Sequence, residues 1–408
     1  MHIPPPSDRR LALRVTAASQ RALRSGHPWL FDQAIISQSG EGRPGDLAVI
    51  FDDRKRFLAV GLYDPTSPLR VRVLQHVDPA PIDAAWLRSR LAAAAALRSS
   101  LPATGTTGYR LVHGENDGLP GLVIDRYESV LVLKLYTPAW IPRLADLLAV
   151  LEELVSAQSI VLRLTRAVAA RPEFLYDLAD GSVLAGAPPD GPVFFSENRL
   201  RFEADVLHGQ KTGFFLDQRD NRARVEALAT GRRTLNVFAY TGGFSLYAAR
   251  GGAPEVLSLD MSKPALAAAE RNFALNRHLP AVAAARHSVL AGDAFAVLDD
   301  LRQQGRRFDL VIVDPPAFAK RESEAAGALH AYRRLTGLAL GVAAPDAVMV
   351  LASCSSRVPA PSFFEAVQTA AVQAGRPLNV LERTGHAVDH PVGFAEGAYL
   401  KCMFAVAL

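Results

Sequence analysis

From about residue 206 to the C-terminus, short apolar runs alternate with longer amphipathic segments. No other feature restricts the fold as strongly. Strands are predicted at Thr234–Phe238, Glu255–Asp260, His287–Leu290, Phe308–Asp314, Ala347–Ala352 and Tyr399–Ala407. Helices are predicted near 217–229, 244–250, 262–276, 294–304, 325–343 and 361–374. A helix between two strands returns the chain to the end where the first strand began, so the strands pair in parallel. The pattern predicts an α/β fold with a mostly parallel, doubly wound sheet.

The N-terminal part has a different texture. Runs at Leu47–Phe51, Phe57–Leu62 and Leu69–Leu74 are short and broken by turns, which predicts a small barrel. In the last run apolar residues alternate with Arg70 and Arg72, so both arginines are expected on a wet strand face. Between these regions lie a helical segment near 83–99 and a hairpin of Leu119–Asp125 with Val130–Tyr136, turning across Asp125–Ser129. A helix near 142–156 follows, and Gly181 to Pro192 reads as a surface loop.

Composition narrows the chemistry. With Cys354 and Cys402 the only cysteines, neither a disulfide framework nor a cysteine-based zinc site is available, and no metal is expected. No apolar run reaches membrane-spanning length, and the N-terminus lacks the apolar stretch of a signal peptide, so a cytoplasmic protein is expected. The net charge of +4 has a location: residues 1–76 carry 11 basic and 7 acidic side chains, and the remainder balances.

Three predicted strand ends carry groups suited to an adenosine ligand. LNVFAYTGGF at Leu235–Phe244 runs from strand into a glycine turn, whose helix N-terminus offers backbone N–H groups. Asp260 ends the next strand, where its carboxylate can accept ribose hydroxyls; Ser262 as N-cap and Pro264 then start a helix. Asp293 ends the strand after that, placed for an adenine amino group, with a helix N-cap as the alternative. The fourth strand delivers Asp314, followed by Pro315, Pro316, Ala317 and Phe318: an acid on a stiff backbone with an aromatic four residues on, able to bond and stack a planar base. The fifth ends at Cys354, either a small buried hydrophobe or a nucleophile; Cys402 lies mid-strand and reads as structural. Lys211 and Thr212 lack the glycine spacing of a phosphate loop, and Asp217 reads as a helix cap. Asp389, His390 and Glu396 fall in the loop before the last strand, which is either solvated or a source of a proton acceptor.

Taken together, GHPWLF at 26–31, GENDGLPGLVID at 114–125, GQKTGFFLDQR at 209–219, YTGGF at 240–244, DPP at 314–316, SCS at 353–355 and DHP at 389–391 with Glu396 and Gly397 resemble the class I 23S ribosomal RNA large-subunit methyltransferase I family. The resemblance covers nearly the whole chain. It implies a PUA-like RNA-binding barrel at 9–77, a central α+β domain at 80–200 and a Rossmann-like methyltransferase domain at 201–408. It further implies S-adenosylmethionine held by Gln218, Phe238, Tyr240, Gly242, Asp260, Asp293 and Asp314, with Cys354, Asp314 and Glu396 catalytic. RNA, 23S ribosomal RNA in particular, would be met by Pro315, Pro316, Phe318, Arg70 and Arg72, and a homodimer is one assembly it allows. One departure stands out: relatives usually read DPPKF, and here Ala317 replaces the lysine. With no second cysteine after the proline pair, a one-cysteine mechanism must make 5-methylcytosine. Methylation of an exocyclic amine or of uracil C5, a nicotinamide-dependent oxidoreductase, and a non-catalytic RNA-binding protein are the competing readings.

Overall fold

In the computed structural model the alternating region folds as a seven-stranded sheet. Residues 3–319 and 321–408 are described; Met1, His2 and Lys320 lie outside the described residues. The strand order is Arg286–Ala291, Glu255–Asp260, Thr234–Val237, Phe308–Val313, Ala343–Ser353, Lys401–Ala407, Leu378–Thr384. The first five strands are parallel, and Lys401–Ala407 alone runs the other way, antiparallel to both of its neighbours. The six predicted helices are found at Arg219–Leu228, Gly243–Arg250, Lys263–Leu275, Ala294–Gln303, Ala325–Gly341 and Ala360–Gln373.

The central strands are largely apolar because helices cover both faces. Val237, Leu259, Val311, Val313, Met349 and Leu351 pack in one core with Leu298, Tyr332, Leu335 and Phe363 from the helices. Helix Lys263–Leu275 starts as its sequence predicts: the Ser262 hydroxyl accepts the Ala265 N–H, and a proline stands in the first turn. Asp217 is not the cap predicted for helix Arg219–Leu228. Gln218 occupies that position without a side-chain capping bond, and Asp217 is buried, accepting the Tyr399 hydroxyl at 2.9 Å. Strand Leu378–Thr384 was not anticipated; its inward positions are only half-buried and Leu381 is exposed, so it lacks a periodic apolar signal.

The chain divides into two compact units. The sheet just described belongs to the second, made of Leu200–Glu203, Phe215–Ala387 and Ala395–Leu408. The first comprises the residues up to Arg199 with Ala204–Phe214 and Val388–Phe394. It holds a six-stranded sheet in the order Trp29–Phe31, Leu69–His76, Phe57–Tyr63, Leu47–Phe51, Arg10–Val15, Ile35–Gln38. A five-stranded sheet follows the order Val183–Gly186, Ser159–Leu164, Val130–Leu135, Leu122–Tyr127, Gly108–His113.

Three local expectations need correction in this unit. The hairpin turns at Glu128 and Ser129, with Tyr127 paired to Val130, because Tyr127 packs edge-on against Phe195 and stays in the strand. The predicted loop 181–192 contributes the edge strand Val183–Gly186, paired with Ser159–Leu164. Arg70 and Arg72 are not on a wet face. Arg72 is bonded to Glu115 at 2.9 Å with its side chain 12% exposed, and Arg70 donates to Pro65 O and reaches Asp32.

Several of the motif residues build this scaffold. Asp125, fully buried, accepts both ends of the Arg110 guanidinium at 2.8 and 3.0 Å, and the Thr212 hydroxyl. Thr212 also bonds Tyr127, whose hydroxyl accepts the Phe214 N–H. Asp389 accepts the Arg110 backbone N–H and lies 3.1 Å from the His390 ring nitrogen; both residues are buried, so this stretch is not a solvated loop.

Candidate active site

Parallel pairing brings the expected residues to one edge of the second unit's sheet. Val237 pairs with Leu259 on one side and Val313 on the other, and Val313 pairs with Leu351. Phe238, Asp260, Asp314 and Cys354 therefore emerge at the C-terminal ends of four neighbouring strands. Asp293 follows the adjoining strand Arg286–Ala291. In open α/β sheets, ligands are bound outside this edge.

The turn after strand Thr234–Val237 is strained. Phe238, Tyr240 and Gly242 have φ of 63°, 48° and 77°, and only glycine adopts that region without cost. The strain is held in place by Asp260, which accepts the Tyr240 N–H and the Ser262 N–H, each at 2.8 Å. Strain held by surrounding bonds is typical of ligand cradles. Gly242 also has no room for a side chain, since a Cβ there would stand 2.8 Å from that of Ala269. Asp293 is exposed and caps helix Ala294–Gln303 through the N–H groups of Phe295 and Ala296, as its capping reading predicts.

Two buried polar atoms beside this edge lack a hydrogen-bond partner among the described residues. They are Gln218 Nε2 and Thr241 Oγ1, in side chains otherwise enclosed by protein. Unsatisfied donors of this kind are costly unless a ligand completes them. The strained turn, the Asp260 carboxylate and these two atoms fit a ligand with hydroxyl and carboxylate groups. S-Adenosylmethionine has both.

The loops after the next two strands are stitched together. The Cys354 thiol donates to Pro315 O at 3.9 Å, and the Ser355 hydroxyl donates to Ala319 O at 3.0 Å. Behind them the Tyr332 hydroxyl bonds Ser353 Oγ at 2.8 Å; burial pushes the tyrosine up to about 12, so it stays neutral. Pro315 is buried, Pro316 exposed, and Phe318 half-buried against Tyr332 with ring centroids 5.1 Å apart. Cys354 is half-exposed, whereas Cys402 is wholly buried in mid-strand and its thiol is pushed well above the usual range.

Glu396 sits exposed on the one-turn helix Ala395–Gly397. Arg70 and Arg72 lie in the first unit and are no part of this edge. Sequence reasoning missed Lys401, buried under the Cys354 loop; its signal was a lone lysine opening an otherwise apolar strand. It missed Tyr332 too, which reads as one more core aromatic of its helix.

The family model for S-adenosylmethionine-dependent methyltransferases matches residues 109–396, and that for a PUA-like domain matches 13–76. A ribosomal RNA large subunit methyltransferase of Deinococcus radiodurans is 50% identical over 409 residues, covering 99% of each chain. Ribosomal RNA large subunit methyltransferase I of Photobacterium profundum is 37% identical over 387 residues, 94% of this chain and 96% of that one. The solved structure of a candidate S-adenosylmethionine-dependent methyltransferase from Streptococcus mutans shares the fold, with a TM-score of 0.82 at 20% identity over 97% of this chain and 99% of that one. No helix among the described residues is long and apolar enough to cross a membrane. Fold, strained cradle and sequence relationship agree: the chain belongs to the ribosomal RNA large subunit methyltransferase I-like family, S-adenosylmethionine-dependent methyltransferases that carry an N-terminal PUA-like domain.

Proposed function

We propose that the protein methylates C5 of a cytosine in RNA, 23S ribosomal RNA in particular, through a covalent bond between Cys354 and the base. The observation that carries the reading is the placement of a half-exposed cysteine at a strand end, bonded to the loop of Asp314, Pro315 and Pro316 on the neighbouring strand. Curated relatives named for ribosomal RNA supply the substrate class. S-Adenosylmethionine supplies an electrophilic methyl group, and Gln218, Phe238, Tyr240, Gly242, Asp260, Asp293 and Asp314 are the residues that would hold it.

C5 of cytosine is a weak nucleophile. The Cys354 thiolate adds to C6, which shifts electron density to C5 and lets it accept the methyl group. Asp314 accepts a hydrogen bond from the exocyclic amine and holds that edge of the base in place while C6 is attacked. Glu396 takes the C5 proton, the C6–S bond breaks and the thiolate is restored. Pro315, Pro316 and Phe318 form a stiff wall for the base, which must leave its stack to reach them. The three parts at 9–77, 80–200 and 201–408 divide the work, the first binding RNA and the last carrying the chemistry.

The test is nucleoside-resolved mass spectrometry of ribosomal RNA incubated with the full chain and labelled donor. 5-Methylcytidine is expected, and Cys354→Ala should lose at least about a thousandfold in rate while still binding S-adenosylmethionine by calorimetry. A methylated exocyclic amine, or normal turnover by the alanine variant, would overturn the reading.

A further inference from the structure

Lys401 opens the strand that pairs antiparallel with the strand of Cys354, directly opposite Ser353. It is 3% exposed. Its ammonium donates to the carbonyls of Ser355 and Val358 in the loop that Cys354 begins, and to Tyr399 O at 3.2 Å. No carboxylate among the described residues lies within ion-pair distance of it. A buried ammonium satisfied only by carbonyl dipoles is unusual, because removing a full charge from water is repaid chiefly by an opposite charge.

We propose that Lys401 is a positioning residue for methyl transfer: its buried ammonium pins the Cys354 loop by two carbonyls and serves as the counter-charge that holds the Cys354 sulfur as a thiolate. The proposal rests on Cys354 being the nucleophile. Its chemistry is reciprocal. Burial lowers the lysine to about 8, and the Cys354 charge is what pulls it back up; the same attraction must stabilise the thiolate equally. Asp314 is acidic and opposes ionisation of a neighbouring thiol. Tyr332 is held neutral, Cys402 is buried with its thiol pushed up, and Glu396 and Arg357 are exposed to solvent. His386 accepts the Leu400 N–H through Nε2, so that nitrogen is occupied as a neutral acceptor.

The experiment measures the rate of iodoacetamide alkylation at Cys354 against pH in the full chain, read by peptide mass so that Cys402 does not contribute. In the wild type the midpoint should lie below the ~8.5 of an unperturbed thiol. Lys401→Met should raise it by about one pH unit or more, a roughly tenfold slower alkylation at pH 7, and lower kcat for RNA methylation more than it raises KM. Lys401→Arg, which keeps the charge, should recover most of both. A wild-type midpoint at or above ~8.5 overturns the proposal even where Lys401→Met fails to fold. So does an unchanged midpoint in a Lys401→Met protein that melts normally and binds S-adenosylmethionine. Because the alkylation readout needs no RNA, a different methylated nucleoside would sink the cytosine reading and leave this result standing.

Discussion

Gly242 bears a double constraint. Its φ of 77° costs an L-residue about 1–2 kcal/mol, and a Cβ would press on Ala269 at 2.8 Å. Gly242→Ala is therefore expected to lower stability by about 1–3 kcal/mol. The same change should weaken S-adenosylmethionine binding, since relief must come from moving the turn. Urea denaturation and calorimetry check the two effects, and a variant unaltered in both would mean that the turn is not a cradle. The glycine was legible in the sequence, because a strand followed by a glycine pair reads as a tight turn. The positive φ of Phe238 and Tyr240 was not. Nothing in an aromatic side chain signals left-handed backbone; here it follows from Asp260 accepting the Tyr240 N–H across the sheet. Asp260→Asn keeps one acceptor and loses the charge, and should cost donor binding about 1–3 kcal/mol, read as a rise in KM for S-adenosylmethionine. An unchanged KM would remove Asp260 from the site.

Beneath the cradle, four elements share a buried polar chain. Asn236 donates to Ser245 Oγ at 2.9 Å, Ser245 bonds Ser258 Oγ at 2.7 Å, and Ser258 bonds the His287 Nε2 at 2.9 Å. The His287 ring stacks flat on Phe273, centroids 3.7 Å apart, and burial lowers its value from 6.5 to about 4. The folded value is below the unfolded one, so the unfolded chain takes up the proton first as pH falls. The stability that neutral His287 contributes is complete above pH 6.5 and drains away toward pH 4. The full shift corresponds to up to about 3 kcal/mol, most of it gained by pH 5 to 6.5. Urea unfolding at pH 7.5 and pH 5 should show a loss in the wild type that shrinks in His287→Asn, which titrates no ring. Equal losses in both proteins would place the effect elsewhere. At this scale the alternation located nearly every strand and helix of the catalytic sheet, because buried parallel strands must be apolar. The short pair-forming edges, Val183–Gly186 and Leu378–Thr384, escaped for the opposite reason: an edge strand need bury only part of one face.

The molecule as a whole separates charge from chemistry. The change of texture lies near residue 206, and nothing in composition marks Val388–Phe394 as part of the first unit, since a seven-residue excursion leaves no compositional trace. The surplus charge of residues 1–76 also reads differently once partners are known. Arg24 and Arg56 share Asp52, Arg70 reaches Asp32, and Arg72 is committed to Glu115, so the two arginines expected to meet RNA are the least available. Arg54 and Lys55 are exposed at a turn, with no acidic partner within ion-pair distance among the described residues. If the first domain holds RNA through phosphates, these two carry part of the salt dependence. Arg54→Gln with Lys55→Gln should flatten the slope of log affinity against log salt by about 0.7–0.9 for each phosphate no longer neutralised, with kcat unchanged. Arg72→Gln should instead lower the melting temperature, because it leaves a half-buried Glu115 without its cation, while moving the salt slope little. Filter binding across a salt series beside thermal melts separates the two, and a slope that responds to Arg72 but not to Arg54 and Lys55 would return RNA binding to the strand face the sequence first suggested.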